Sequence, residues 1–174
     1  MSYILKEVVL RTNNTPEGME KISQFWEDIL TKKISLLPEN KNELLISKYS
    51  NYESDENGEY DLTIMRRELK FLLKLDERVK NREFIKYEEI DDNIENCARK
   101  VWNRVWEDKK NNKLNRVYIE DYQLDILPIF SQDGKRHSIL YISVKEENTI
   151  KIRKYKSSDC QEITELFYNT VHSI

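Results

Sequence analysis

Three tryptophans, Trp26, Trp102 and Trp106, fall on segments with helical spacing, and the tyrosines Tyr49, Tyr52, Tyr60, Tyr118 and Tyr141 fall on segments that alternate like strands. Flat aromatic faces presented from helices and strands are what a site for a hydrophobic small molecule requires. An aromatic on the apolar face of a helix is ordinarily core, and a single hairpin tyrosine ordinarily packs against its neighbours. Covalent chemistry is less well provided for. The chain has no Gly-x-Ser-x-Gly elbow and no cysteine with an adjacent histidine, and Cys97 and Cys160 lack metal-ligand spacing. His137 beside a turn and His172 near the C-terminus have no acidic or thiol partner at useful spacing, so both read as surface residues. No catalytic residue, metal or cofactor is expected.

The elements that must position these aromatics come in an order written twice: strand, amphipathic helix with tryptophan, then two strands joined by an Asp/Gly turn. The first copy spans Tyr3 to about Leu69 and turns at Ser54-Asp55-Glu56-Asn57-Gly58. The second spans about Arg82 to Lys145 and turns at Gln132-Asp133-Gly134. Thr15-Pro16-Glu17 is a helix start, with Thr15 as N-cap and Pro16 at the first helical position. Met19, Ile22, Phe25, Trp26, Ile29 and Leu30 then form one apolar face. Asp92 or Asn93 caps a second helix through Cys97, Val101, Trp102, Val105 and Trp106. Leu44–Tyr52 with Tyr60–Leu69 reads as a hairpin, and Arg116–Ile126 with Ser138–Lys145 as the last one. In Arg116–Ile126, alternation sets Tyr118, Tyr122 and Leu124 on one face and Val117 and Ile119 on the other. Lys70–Arg82 is a charged connector, helical or irregular. The pattern is an α+β domain of about eight short strands and two helices, with an aromatic groove between two similar halves.

Composition narrows the partners. The 174 residues carry 39% hydrophobic and 35% charged side chains, with a net charge of −3 and a pI near 5.6. Short basic runs such as Lys109-Lys110, Lys135-Arg136 and Lys151–Lys156 are flanked by acids, so no basic stripe exists for nucleic acid. No apolar run approaches the ~20 residues of a membrane helix, and the N-terminus has no basic leader. With two cysteines, a reducing cytoplasmic setting is expected.

Trp102-x-x-Val105-Trp106 followed by Arg116-x-Tyr118-x-x-Asp121-Tyr122 resembles the signature of the GyrI-like effector-binding domain, the sensing part of AraC- and MerR-type activators that also occurs alone and in integron cassettes. Tyr52-Glu53-Ser54-Asp55 leading into Gly58-Glu59-Tyr60 resembles that family's first hairpin, and Ile139–Val144 its last strand. The resemblance covers residues 2–145 and implies two βαββ units about a pseudo-twofold axis, with a central groove. It also implies an acidic groove residue among aromatic rings, where a desolvated carboxylate and π faces worth roughly 0.5–2 kcal/mol each attract a cation. The position matching the family's glutamate is Gln123, which keeps hydrogen bonding and loses the charge. Glu120, Asp121 and Glu68 are candidate substitutes. By alternation Asp121 shares a face with Gln123, whereas Glu120 lies opposite. The bland alternative for all of them is a solvated strand residue.

Residues 146–174 change character. Glu146-Glu147-Asn148 reads as a linker, Thr149–Tyr155 as a strand, and Ser158 with Gln161 as a capping box for a helix carrying Ile163, Phe167 and Val171. This stretch resembles the first strand and helix of a GNAT-type N-acetyltransferase. None of Gly18, Gly58 and Gly134 forms the pyrophosphate-binding turn such an enzyme needs. Acetyl transfer is therefore not expected of it, and its apolar stripe is a candidate for self-association. The expected activity is binding of a lipophilic or aromatic effector, with cations among the candidates and no direct DNA contact. The rivals are a hydrolase in the same groove, which Gln123 disfavours because an amide is no general base, and an acidic protein-interaction module.

Overall fold

The computed structural model describes residues 6–145 apart from 39, 41, 127–130 and 132. The expected linker, strand and helix of residues 146–174 lie outside the described residues, as do Tyr3, Gln132, Cys160 and His172. The element order is β1 (Glu7–Thr12), α1 (Pro16–Leu30), β2 (Glu43–Ser50), β3 (Tyr60–Glu68), α2 (Lys70–Lys80), β4 (Phe84–Asp91), α3 (Ile94–Lys110), β5 (Glu120–Ile126) and β6 (Arg136–Ser143). Over the described residues the fold is α+β, with six strands and three helices rather than about eight and two. None of the described helices is long and apolar enough to cross a membrane.

Local signals set the two large helices. The Thr15 hydroxyl accepts from the backbone N–H of Gly18, with Pro16 opening α1, as the spacing predicts. Asn93 Oδ1 accepts from the backbone N–H of Asn96 at the start of α3. The charged connector is the regular helix α2. Phe71, Leu72, Leu75 and Val79 recur at helical spacing within it, and that stripe finds a sheet face to bury against.

The strands form one antiparallel sheet in the order β1-β3-β2-β5-β6-β4. Moving outward from the β2/β5 seam, one half runs β2, β3, β1 and the other β5, β6, β4. One row across the sheet shows how the layers are arranged. Val8, Ile64, Ser47, Gln123, Leu140 and Tyr87 are successive cross-strand partners, so all six point to the same side. At one end of the row, Ile64 and Val8 belong to the cluster that α1 covers through Ile22, Phe25 and Ile29. At the other end, Leu140 and Tyr87 belong to the cluster that α3 covers through Val101 and Val105. The two central positions are polar, and they fall between the helices. On the opposite side, α2 lies over Ile46, Met65, Phe84, Tyr122, Leu124 and Tyr141. The second face of the sheet is thus covered at its centre by α2, and on the first face Ser47 and Gln123 are also buried.

Candidate functional site

The polar seam holds a connected set of side chains on β2, β5, β6 and α3. Gln123 Oε1 accepts from the Tyr49 hydroxyl at 2.7 Å and from Trp102 Nε1 at 2.9 Å. With both oxygen lone pairs used, the amide nitrogen faces Asp125 and donates to Oδ1 at 3.2 Å and Oδ2 at 3.0 Å. The Ser138 hydroxyl donates to Asp125 Oδ1 at 2.6 Å. Tyr49 and Trp102 meet edge to face with centroids 5.3 Å apart, and Trp106 stacks behind Trp102 at 6.1 Å. Gln123, Ser47 and Ser138 are buried, Tyr49 and Trp102 half-buried, and Asp125 exposed. Asp125 presents surface to solvent, yet loss of hydration is the largest influence on its carboxyl group and raises its pKa against the hydrogen bonds from Ser138 and Gln123. Burial also pushes the Tyr49 phenol well above its ordinary range, so it stays a neutral donor.

A second network braces this floor at the other end of β5. Asp121, with no exposed surface, accepts from Arg116 Nη2 at 2.6 Å, the Tyr52 hydroxyl at 2.8 Å and the Ser143 backbone N–H at 2.8 Å. The Arg116 guanidinium lies over the rings of Tyr118, Tyr52 and Trp102 at 4.4, 5.3 and 5.5 Å. Tyr118 adopts a left-handed backbone, with φ of 54°, so strand alternation begins only at Glu120 and not at Arg116. Its hydroxyl bonds Glu56, which also accepts from Lys109 Nζ at 2.6 Å. The Arg-x-Tyr-x-x-Asp pattern is therefore a scaffold motif. It clamps the turn between β2 and β3 to the end of α3 and holds the neighbouring aromatic rings in place.

The expected site residues separate accordingly. Trp102, Gln123 and Tyr49 come together, with Trp106 stacked outside them at 42% exposure. Trp26 packs with Ile22 and Phe25 in the α1 cluster that also contains Tyr49 and Tyr52. Tyr118 serves the scaffold and does not share a face with Tyr122 and Leu124, contrary to simple alternation. Glu120 and Tyr141 lie on the α2 side of the sheet. Glu120 pairs there with Arg78 at 2.6 Å and Lys48 at 3.1 Å, and the Tyr141 hydroxyl donates to Asp76 at 3.0 Å. Glu68 ends β3 in an exposed pair with Lys70. None of these three belongs to the seam. Asp125 was missed, although the alternation that joins Asp121 to Gln123 extends to it. Its partner Ser138 depends on strand register.

His137 also departs from its expected isolation. Its Nδ1 lies 2.7 Å from Glu88 Oε1 and its Nε2 2.9 Å from Asp133 Oδ1, partners supplied by strand pairing and the β5–β6 turn. Asp133 first and Glu88 second raise the imidazole pKa above 6.5. A raised folded-state pKa contributes stability that is fully present below the unfolded value and lost as pH rises through the folded one. An NMR titration of His137 should give a midpoint above 6.5, and His137→Gln should remove that portion of the pH dependence of unfolding. A midpoint at or below the ordinary value would break the assignment.

Two concavities, neither of them at the seam, are open and lined by charged side chains. One of about 740 Å³ lies beside α2 at Leu73, Asp76 and Lys86, where Asp76 is already paired with Lys86 at 3.0 Å. The other, about 230 Å³, lies at Glu89, Lys100 and Arg104. Neither has an aromatic wall. Among the described residues no group of His, Cys, Asp or Glu is arranged to hold a metal ion.

No protein-family model matches the chain, and no curated protein matches its sequence. Among solved structures, an integron cassette protein from the mobile metagenome of Vibrio cholerae is similar in fold, with a TM-score of 0.55 at 17% identity. The match covers 81% of this chain and 92% of that one.

Proposed function

We propose that the chain is a non-catalytic receptor for a small aromatic molecule, built as a GyrI-like pair of βαββ units with its site at the β2/β5 seam. The observation that carries this reading is Gln123, whose oxygen accepts at once from Tyr49 on β2 and Trp102 on α3. That arrangement fixes two half-buried aromatic side chains around a polar seam. The mirrored strand order and the fold similarity to an integron cassette protein support the architectural part. An effector domain of this kind acts through a partner that supplies DNA binding or another output.

The test is a titration with neutral and cationic aromatic molecules, read by tryptophan fluorescence and calorimetry. Micromolar affinity is expected, about −8 kcal/mol. Trp102→Ala removes an aromatic wall and a donor to Gln123, and should weaken the best binder at least about tenfold. Absence of any binding, or unchanged affinity in Trp102→Ala, sinks the proposal.

A further inference from the structure

The sheet is open, and among the described residues no strand pairs with the outer edge of β1 or of β4. The two edges are finished differently. Beside β4, the Glu83 carbonyl accepts from the Val144 N–H, so alternation turns the backbone groups of Phe84, Lys86, Glu88 and Ile90 outward. Arg104 Nη1 donates to the outward Glu88 carbonyl at 3.1 Å, and Lys86 and Glu88 set charges along that edge. Such features guard an edge against pairing with another strand. Beside β1, the Lys6 carbonyl accepts from the Arg66 N–H at 2.8 Å, which turns the backbone groups of Glu7, Val9 and Arg11 outward. None of those N–H and C=O groups has a partner among the described residues. Val9, in the middle, is 58% exposed.

We infer that β1 pairs antiparallel with β1 of a second copy of this chain, across a twofold axis at Val9. In that register Val9 faces its own counterpart, and Glu7 faces Arg11 of the second copy on both sides of the axis. The neighbouring registers with the same backbone parity set Val9 opposite Glu7 or Arg11, an apolar side chain against a charged one. Both charged groups keep capacity for a further bond. Arg11 commits Nε to Glu59 and Nη1 to Asp61 and the Asn51 carbonyl, which leaves Nη2. Glu7 commits Oε2 to Arg67, which leaves Oε1. On the other face of the strand, half-buried Val8 faces half-buried Leu10 of the second copy, and Val8 already belongs to the α1 cluster. The pairing forms about six backbone hydrogen bonds over a short strand. An interface of that size gives a reversible dimer with a dissociation constant on the order of 10–100 µM.

Sedimentation velocity on the full chain between about 1 and 500 µM is expected to show monomer passing into dimer. Val9→Pro removes an outward N–H that no bond within the sheet uses, at a position where an edge strand tolerates proline. It should weaken the dimer at least about tenfold and leave the far-UV circular dichroism unchanged. Glu7→Lys and Arg11→Glu each set like charges opposite one another, and each alone should weaken the dimer roughly three- to tenfold. Mixed in equal amounts, these two variants restore opposite charges at both positions, and the mixture should dimerise about as well as the parent. Circular dichroism and melting check that every variant folds, and should Val9→Pro misfold, the charge variants decide alone. A chain that stays monomeric throughout overturns the inference. So does a dimer that persists in Val9→Pro, which another surface, residues 146–174 included, then carries. A mixture that associates no better than its separate components overturns it also.

Discussion

Asp121→Ala is expected to cost about 3–5 kcal/mol of folding stability, the usual penalty for removing one member of a buried ion pair. The carboxylate is fully buried and accepts from Arg116, Tyr52 and both the backbone N–H and hydroxyl of Ser143. Its loss strands the Arg116 guanidinium, whose side chain is 3% exposed, among the rings of Tyr52, Tyr118 and Trp102. For a domain of this size the melting temperature should fall by on the order of 10 °C. Urea denaturation of the variant against the parent measures it. Replacing both partners, Arg116→Met with Asp121→Leu, should recover part of the loss, because no uncompensated charge then stays inside. A single-variant loss below about 1 kcal/mol would mean that the pair is more hydrated than its burial implies.

The same pair shows how far residue order alone leads. Period-two alternation is local, and it puts Asp121 and Gln123 on one face before any tertiary information is available. Capping is local as well, so Thr15-Pro16 announces α1. What brings Arg116 onto Asp121 is the left-handed turn at Tyr118, a conformation uncommon for tyrosine. Glu56 and Lys109, more than 50 residues apart in the chain, converge around that turn. The pairing of His137 with Glu88 across 49 residues depends on the register between β4 and β6. The role of α2 was hidden for a related reason. Its sequence is charged enough to pass for a connector, and only the apolar far side of the sheet shows why Leu75 is buried. The polar seam emerges only when the strands are placed side by side.

Gln123→Glu tests the orientation on which the site depends. In the parent, the amide oxygen takes Tyr49 and Trp102 and the amide nitrogen faces Asp125, 3.0 Å from Oδ2. A glutamate keeps the first two contacts and turns the third into an oxygen facing an oxygen. Two carboxylates so close cannot both stay ionised at ordinary cost, and the pair takes up a shared proton with one pKa raised. The free variant should therefore lose about 1–3 kcal/mol at neutral pH, the cost of a broken hydrogen bond to a poorly hydrated charge. Because the raised pKa belongs to the folded state, stability should return as pH falls and decline as pH rises through it. An N–H cation bridging the two carboxylates offsets the repulsion, so 4-phenylbutylammonium should bind about tenfold or more tighter than to the parent, while the uncharged 4-phenylbutan-1-ol gains nothing. Unfolding measured between about pH 5 and 8, with both titrations alongside, decides the matter. If stability is flat across that range and the ammonium affinity is unchanged, residue 123 does not face Asp125 and the seam is not the binding site.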